Sequence, residues 1–381
     1  MKDIFRSRIK KIKILSLKSI AKIADVLYLT KKFESDPPKN CLIISTTAIG
    51  DTIFGTPAIR ALKEYFPELN ICVFAREGGA EIIRGNPYIN KIFIFKKGLL
   101  NILSLFKKLR SNHFDTVIVF YATDRIIWLM AYLTGAGKIV GSTRHTKEMD
   151  FLITCPVEML QNTHPIYARH LLIKKLGVES DLKKIEIFIA DDERGKLNVF
   201  FERIGISKNS LVIGFQPGAA KPYRRWPEKN FIKLGEMLSD TMHDIRIIIT
   251  GDNKEKELSQ RIASRIGGIS LAGKLNLRET SAAIERCALF ITNDTGPMHI
   301  AVAVGTPTIA LFSPTGEAHI ALYRSISIFK AISKPKSCKE CISKACEKPV
   351  CMEQISPEEV YEVVKEQIAN WICKDLRGHE K

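Results

Sequence analysis

The sequence has no apolar run long enough to cross a bilayer without a charge or a proline interrupting it. In its second half the longest stretch free of Lys, Arg, Asp and Glu, Thr295 to Gly316, holds Pro297, Pro307 and Pro314. It therefore reads as helix, turn and strand. No segment has the apolar core and small-residue cleavage site of a signal peptide. These absences point away from a secreted or integral membrane protein. Cysteine is scarce and odd in number, nine in 381 residues, with Cys41, Cys72 and Cys287 inside apolar runs. That excludes a disulfide scaffold and fits a reducing compartment. Acidic residues are short as well, 41 Asp plus Glu against 58 Lys plus Arg, for a formal charge of +17. Low-complexity tracts and short-period repeats are missing too.

What is present is globular: 45% apolar and 26% charged residues, in a chain long enough for two domains. The positive charge is uneven. Residues 1–33 carry +8 and the other 348 residues +9. Within that arm Ile9, Ile12, Ile20, Ile23 and Leu27 fall near one helix face. A basic amphipathic helix reads as an element attracted to an anionic membrane surface; the plainer alternative is a stripe packed on the body with solvated lysines. No aromatic platform, zinc finger or recognition-helix pattern supports nucleic acid as the partner.

Ser35-Asp36-Pro37-Pro38 ends the arm. Short apolar strands then alternate with helices. Strands are expected at 41–46, 70–75, 91–95, 115–120 and 138–142, and helices at 52–66, 79–84, 99–111 and 124–134. Residues 150–205 are less regular. The alternation restarts with strands at 211–216, 245–250, 269–272, 288–292 and 308–312, and helices at 227–240, 254–266, 277–287, 296–304 and 356–374. Continuous apolar strands separated by helices indicate parallel sheets covered on both faces. The expected plan is α/β: an arm over 1–36, a doubly wound domain over 37–205, a second over 206–355 facing the first across a cleft, and a C-terminal helix and tail over 356–381. Ligands of such sheets bind at the carboxyl ends of the strands.

Three strand-end loops carry chemistry. In Thr46-Thr47-Ala48-Ile49-Gly50-Asp51-Thr52, Gly50 permits a tight strand-to-helix turn, and Asp51 lands at the helix N-terminus. There it is either an N-cap or a general base for a substrate hydroxyl, with Thr47, Gly50 and Thr52 on the acceptor side. In Gln216-Pro217-Gly218-Ala219-Ala220-Lys221-Pro222-Tyr223-Arg224-Arg225-Trp226-Pro227, Gly218 and Ala219 leave room for a ligand. Lys221, Arg224 and Arg225 stand before a helix, where cations are unfavourable unless an anion sits among them. In Asn293-Asp294-Thr295-Gly296-Pro297-Met298-His299, free amides and the Thr295 hydroxyl form a phosphate cradle at the start of the next helix. His299 lies one turn further on. Glu255 follows another strand end, where a carboxylate can take ribose hydroxyls; a solvated helix charge is its plainer reading.

These residues resemble glycosyltransferase family 9, the ADP-heptose:lipopolysaccharide heptosyltransferases. The resemblance rests on Ile49-Gly50-Asp51 with Thr56-Pro57-Ala58-Ile59-Arg60, then Pro217-Gly218-Ala219 and Arg225-Trp226-Pro227, then Asn293 to His299, and it spans residues about 40–372. It implies a GT-B fold of two Rossmann-like domains, with the acceptor in the first and the donor in the second, and a metal-independent, inverting reaction. It implies that Asp51 is the catalytic aspartate, that Arg224 stands where the family has a lysine on the donor diphosphate, and that Asp294, Thr295, Gly296 and His299 form the donor-binding turn. The family's first loop often carries Arg or Lys after the strand, where this sequence has Ser45-Thr46-Thr47.

The expectation is a cytoplasmic glycosyltransferase, peripheral at the inner membrane, using ADP-heptose on a lipid-linked saccharide acceptor, with no cofactor. A nucleotide-sugar epimerase or a non-catalytic nucleotide-sugar-binding protein on the same architecture is the alternative. Cys338, Cys341, Cys346 and Cys351 form the tightest cysteine group. Their x4 gaps are not paired C-x2-C knuckles, so packed thiols are favoured over structural zinc or a disulfide.

Overall fold

The computed structural model describes residues 32–96, 98–143, 147–160, 163–242, 244–314, 327–335, 346 and 350–378, together with Ser19. The basic arm up to residue 31, Ser19 aside, lies outside the described residues, as do Cys338 and Cys341. The chain divides into two compact units, Met1–Ile185 and Glu186–Lys381.

The first unit holds a six-stranded parallel sheet: β1 (Asn40–Ser45), β2 (Asn70–Arg76), β3 (Lys91–Phe95), β4 (Thr116–Tyr121), β5 (Lys138–Ser142) and β6 (Cys155–Val157). Its helices are α1 (Ile49–Ile53), α2 (Thr56–Tyr65), α3 (Glu77–Ile82), α4 (Leu99–Arg110), α5 (Arg125–Leu133) and α6 (Pro165–Lys174). Strand order is β3-β2-β1-β4-β5-β6. In such a doubly wound sheet the order reverses between β1 and β4, and the crevice opens there at the strand ends. The central strands are buried along nearly their whole length, as parallel strands must be when both faces are covered. Phe33 joins this unit by a parallel bridge to Ala136, so the body begins a few residues before the expected position 37.

The second unit repeats the plan with β7 (Leu211–Gln216), β8 (Ile245–Ile249), β9 (Ile269–Ser270), β10 (Leu289–Asn293), β11 (Thr308–Phe312) and β12 (Phe329–Ser333). Around them are α7 (Asp191–Arg203), α8 (Glu228–Thr241), α9 (Lys256–Ile266), α10 (Leu277–Glu285), α11 (Gly296–Val304), α12 (Val350–Glu353) and α13 (Pro357–Gly378). The order β12-β11-β10-β7-β8-β9 puts the reversal between β7 and β10.

The expected strands fall within two residues of those observed. The differences are instructive. The helix expected at 52–66 is two helices, because the chain turns at Phe54-Gly55 before α2 starts with Pro57 in its first turn. The domain boundary expected near 205 moves to 185/186: α7 packs on α10, tied by the buried Arg278 to Glu193. The separate C-terminal piece expected at 356–381 is part of the second unit. Helix α13 packs on α8, Val360, Val364 and Ile368 join the core, and the Trp226 indole donates to the Ile355 carbonyl at 2.9 Å.

Two candidate sites at the sheet reversals

In the first unit the loop after β1 stands at the β1/β4 reversal. Helix α1 starts at Ile49 with Ala48 as its cap residue, and no side chain caps it. Asp51 is thus the third helical residue rather than the N-cap, which removes the capping reading. At that depth its charge still favours the positive end of the helix.

What Asp51 meets instead is Arg169 of α6. An Arg169 Nη2 lies 3.7 Å from the carboxylate and donates to the Asp51 backbone carbonyl at 3.2 Å, while Nη1 donates to the Pro165 carbonyl at 2.9 Å. Arg169 is 97% buried, and its Nε has no partner among the described residues. Burial pulls its pKa down to about 10, against the opposing pull of Asp51 and Tyr121. The Asp51 side chain keeps 29% exposure, so the carboxylate reaches solvent while its cation does not. The His164 ring packs edge-on against Phe54 at 5.5 Å, fastening the start of α6 beside the end of α1.

Thr46 and Thr47 follow β1, and neither hydroxyl has a partner among the described residues. Gly50 is buried in α1. Thr52 is buried too; its hydroxyl donates to the Ala48 carbonyl and lies 3.3 Å from that of Ser45, so it is spent inside the turn rather than offered to an acceptor. A cation from elsewhere in the chain contacts this loop. Arg76, at the end of β2, donates to the Thr46 carbonyl and pairs with Asp124, both at 2.7 Å.

Sequence reading missed Arg169 and Arg76. The first lies in the stretch read as irregular. Its available signal was His164-Pro165, an N-cap followed by Pro at N1; the His164 ring does accept from the Ile166 amide at 3.0 Å.

Next to Arg169, His170 Nε2 donates to the Leu182 carbonyl at 2.7 Å, and its Nδ1 is buried without a partner among the described residues. Burial lowers its pKa below the usual 6.5, partly offset by the Leu182 carbonyl and Asp181. A depressed histidine supports the fold above its unfolded pKa, and that support is lost as pH falls through the folded value. The unfolding midpoint is expected to drop between about pH 7.5 and pH 5.5, and less steeply in His170→Asn. Parallel curves for the two proteins would contradict this reading.

In the second unit both motif loops stand at the β7/β10 reversal, on strands paired directly with Gln216 level with Thr292. Asn293 staples them: its amide donates to the Pro217 carbonyl at 2.8 Å, and its side-chain oxygen accepts from the Trp226 amide at 3.0 Å. Arg224 ends a short 3-10 turn, Pro222–Arg224, and pairs with the buried Asp294 at 3.1 Å. Its Nε is buried and lacks a partner among the described residues, a donor left for a ligand. Lys221 is exposed beside it. Arg225 is exposed, but its Nε donates to the Ala219 carbonyl at 2.9 Å, which makes it a brace of the loop. Ala219 is buried.

Thr295 is the cap residue of α11, yet its side chain makes no capping bond. A Cβ built on Gly296 would meet nothing within 4 Å, so the approach to the first amides is open. His299 is buried in α11.

Gly218 differs from expectation. A Cβ there would overlap the Glu255 carboxylate, so the room it makes is occupied by this chain. Glu255 is half-buried rather than solvated. Its Oε2 accepts from Gln216 Nε2 and the Asp252 amide, both at 3.1 Å, and Gln216 in turn accepts from the Thr250 hydroxyl at 2.7 Å. The carboxylate is thereby held at the end of β7. The sequence-predicted donor residues thus gather at one reversal, with Asn293 and Gln216 added.

The profile of glycosyltransferase family 9 (heptosyltransferase) matches residues 102–351. Among curated proteins the chain is similar to lipopolysaccharide heptosyltransferase 3 of Escherichia coli (strain K12), 28% identical over 287 residues that cover 70% of this chain and 80% of that protein. Among solved structures it is similar to a family 9 glycosyl transferase from Veillonella parvula, with TM-score 0.75 and 23% identity over 89% of this chain and 99% of that one. It is also similar to E. coli ADP-heptose lps heptosyltransferase II, with TM-score 0.72 and 19% identity over 87% and 99%.

Proposed function

The chain belongs to glycosyltransferase family 9, and on that premise we propose that it moves a heptose from ADP-heptose to a hydroxyl of a lipopolysaccharide core acceptor. It is a glycosyltransferase of GT-B architecture, with two Rossmann-like units. The observation that carries the proposal is the placing of the motifs: every motif loop stands at the reversal point of its own sheet, where doubly wound folds bind ligands. The relatives' names, a lipopolysaccharide heptosyltransferase and an ADP-heptose heptosyltransferase, supply the sugar and the acceptor class.

In this reading the second unit holds the donor. Arg224, Lys221 and the amides at Thr295-Gly296 take the diphosphate, Glu255 takes the ribose hydroxyls, and His299 and Asp294 complete the turn. The first unit holds the acceptor near Thr47. Asp51 takes the proton from the acceptor hydroxyl. The oxygen bonds to the anomeric carbon, the bond from that carbon to the diphosphate oxygen breaks, and ADP leaves with the electron pair. A single displacement inverts the anomeric centre. Charge grows on the diphosphate as the bond breaks, and preorganised cations and amides stabilise it most at that moment.

That charge set leads us to expect a reaction that needs no metal ion. Among the described residues no group of three or more His, Cys, Asp or Glu is gathered to hold a metal; Asp294, the carboxylate of the donor turn, already pairs with Arg224. Incubation with ADP-heptose and a heptose-less core acceptor should add one heptose to the acceptor and release ADP in equal amount, with EDTA present or absent. Donor left intact with that acceptor would sink the transferase reading. Activity lost in EDTA and restored by Mg²⁺ would sink only the metal-free part, and would direct attention to Asp51, Asp252 and Asp294.

Among the described residues no helix is long and apolar enough to cross a membrane. We place the enzyme at the cytoplasmic face of the inner membrane, where a lipid-linked acceptor would be met, with residues 1–33 attracted to anionic lipid.

A further inference from the structure

One surface of the first unit is used by neither candidate site. Between Glu81 and Asp115 the chain has no acidic residue and seven basic ones: Arg84, Lys91, Lys96, Lys97, Lys107, Lys108 and Arg110. This stretch forms β3 and α4. Strand β3 is at the sheet edge, pairing with β2. Helix α4 sends Leu105 and Leu109 into the core with Phe93 and Phe95. Its opposite face, at helical spacing, presents Leu100, Leu103, Ser104, Lys107 and Ser111. Leu100 is 82% exposed, Leu103 50%, and Ile94 on the neighbouring strand 42%. A groove of about 530 Å³ runs between strand and helix, with Lys91, Lys96 and Lys108 on its walls. None of Lys91, Lys96, Lys107 and Lys108 pairs with a carboxylate among the described residues.

Protection of an edge strand accounts for Lys91 and Lys96, since charge blunts edge-to-edge pairing. It does not account for two leucines in water on a helix that buries Leu105 and Leu109, nor for the lysine pair one turn beyond them. Nucleic acid would use the cations and leave the leucines wet; Phe93 and Phe95 are buried, and the half-buried Phe106 is a single ring rather than a platform for successive bases. An anionic bilayer uses both, with leucines entering the acyl boundary and lysines reaching the headgroups.

We propose that α4 and the adjoining edge of β3 form a docking face for an anionic lipid bilayer, separate from residues 1–33. It goes beyond the transfer reaction and does not depend on which sugar is moved.

The test uses the full chain with a local reporter, Leu103→Trp, and phosphatidylcholine vesicles with or without phosphatidylglycerol. The emission added by the reporter, over that of the unsubstituted protein, should shift to the blue on anionic vesicles alone and be quenched by lipids brominated along their acyl chains. Leu100→Trp, on the same face, serves as a second reporter. Lys107→Glu with Lys108→Glu should weaken vesicle binding by about tenfold or more and leave transfer to a soluble acceptor analogue unchanged, which separates loss of docking from loss of folding or chemistry. Vesicle binding with both reporters unmoved would mean that residues 1–33 bind alone, and would overturn the proposal. So would an equal response to duplex DNA, or vesicle affinity indifferent to the charge reversals.

Discussion

Replacing Asp51 by Asn is expected to lower turnover by about 10² or more while donor affinity stays within a few-fold, since general-base help is worth roughly that much and the donor's contacts lie on other residues. The substitution isolates the chemistry well. Arg169 holds the turn through the Asp51 carbonyl, a bond that survives in the amide, while its Pro165 bond stays within α6. The side-chain pair itself is long, at 3.7 Å, and partly exposed. Its loss leaves the buried Arg169 cation without its carboxylate, so stability should fall by about 1–3 kcal/mol. Single-turnover kinetics with saturating donor, alongside donor titration and thermal unfolding, would read the three quantities separately. Turnover unchanged by the substitution would remove Asp51 from the reaction and leave it a structural partner of Arg169.

Arg224→Ala is expected to act on donor binding and on the fold together. A charge-assisted contact on the diphosphate is worth roughly 1.5–3 kcal/mol, so kcat/KM for donor should fall by about 10- to 100-fold. Both parts should move, KM upward and kcat downward, because the contact strengthens as negative charge develops. The same change leaves Asp294, whose side chain is 1% exposed, without its 3.1 Å partner. A buried charge that loses one of its partners destabilises by roughly 1–3 kcal/mol; the larger cost typical of fully buried pairs is not reached, because Arg224 keeps 28% exposure. Asp294→Asn provides the control. It keeps the backbone carbonyl that Arg224 also approaches at 3.4 Å, but loosens the guanidinium, so donor KM should rise less than in Arg224→Ala. Kinetics at varied ADP-heptose and urea unfolding of both variants decide it; kcat/KM unaltered in Arg224→Ala would take the diphosphate off this residue.

The elements legible beforehand were those with a strong apolar period. Strands such as Leu42-Ile43-Ile44 and Ile247-Ile248-Ile249 are buried on both faces, so nearly every residue in them is apolar. Elements that were missed lack this signal for physical reasons. Strand β6 is three residues at an edge with Pro156 in its middle. Helix α7 buries only Leu197 and Phe201 and is mostly charged elsewhere, and α6 buries Arg169 and His170, which spoils the apolar stripe a reader looks for.

Residue order alone settled the two-sheet plan and the motif loops at the strand ends, because burial on both faces and strand-to-helix turns leave local marks in composition. It also settled that the cationic loop and the Asn293-to-His299 loop share a sheet. Only the folded chain decided how each charge is held. Arg169 comes to Asp51 from 118 residues away, Arg224 is claimed by Asp294 across 70, and the space beside Gly218 is taken by Glu255. Such pairings leave no local trace: a buried arginine and an exposed one are the same letter, and what separates them is which surfaces the packed helices bring within hydrogen-bonding distance.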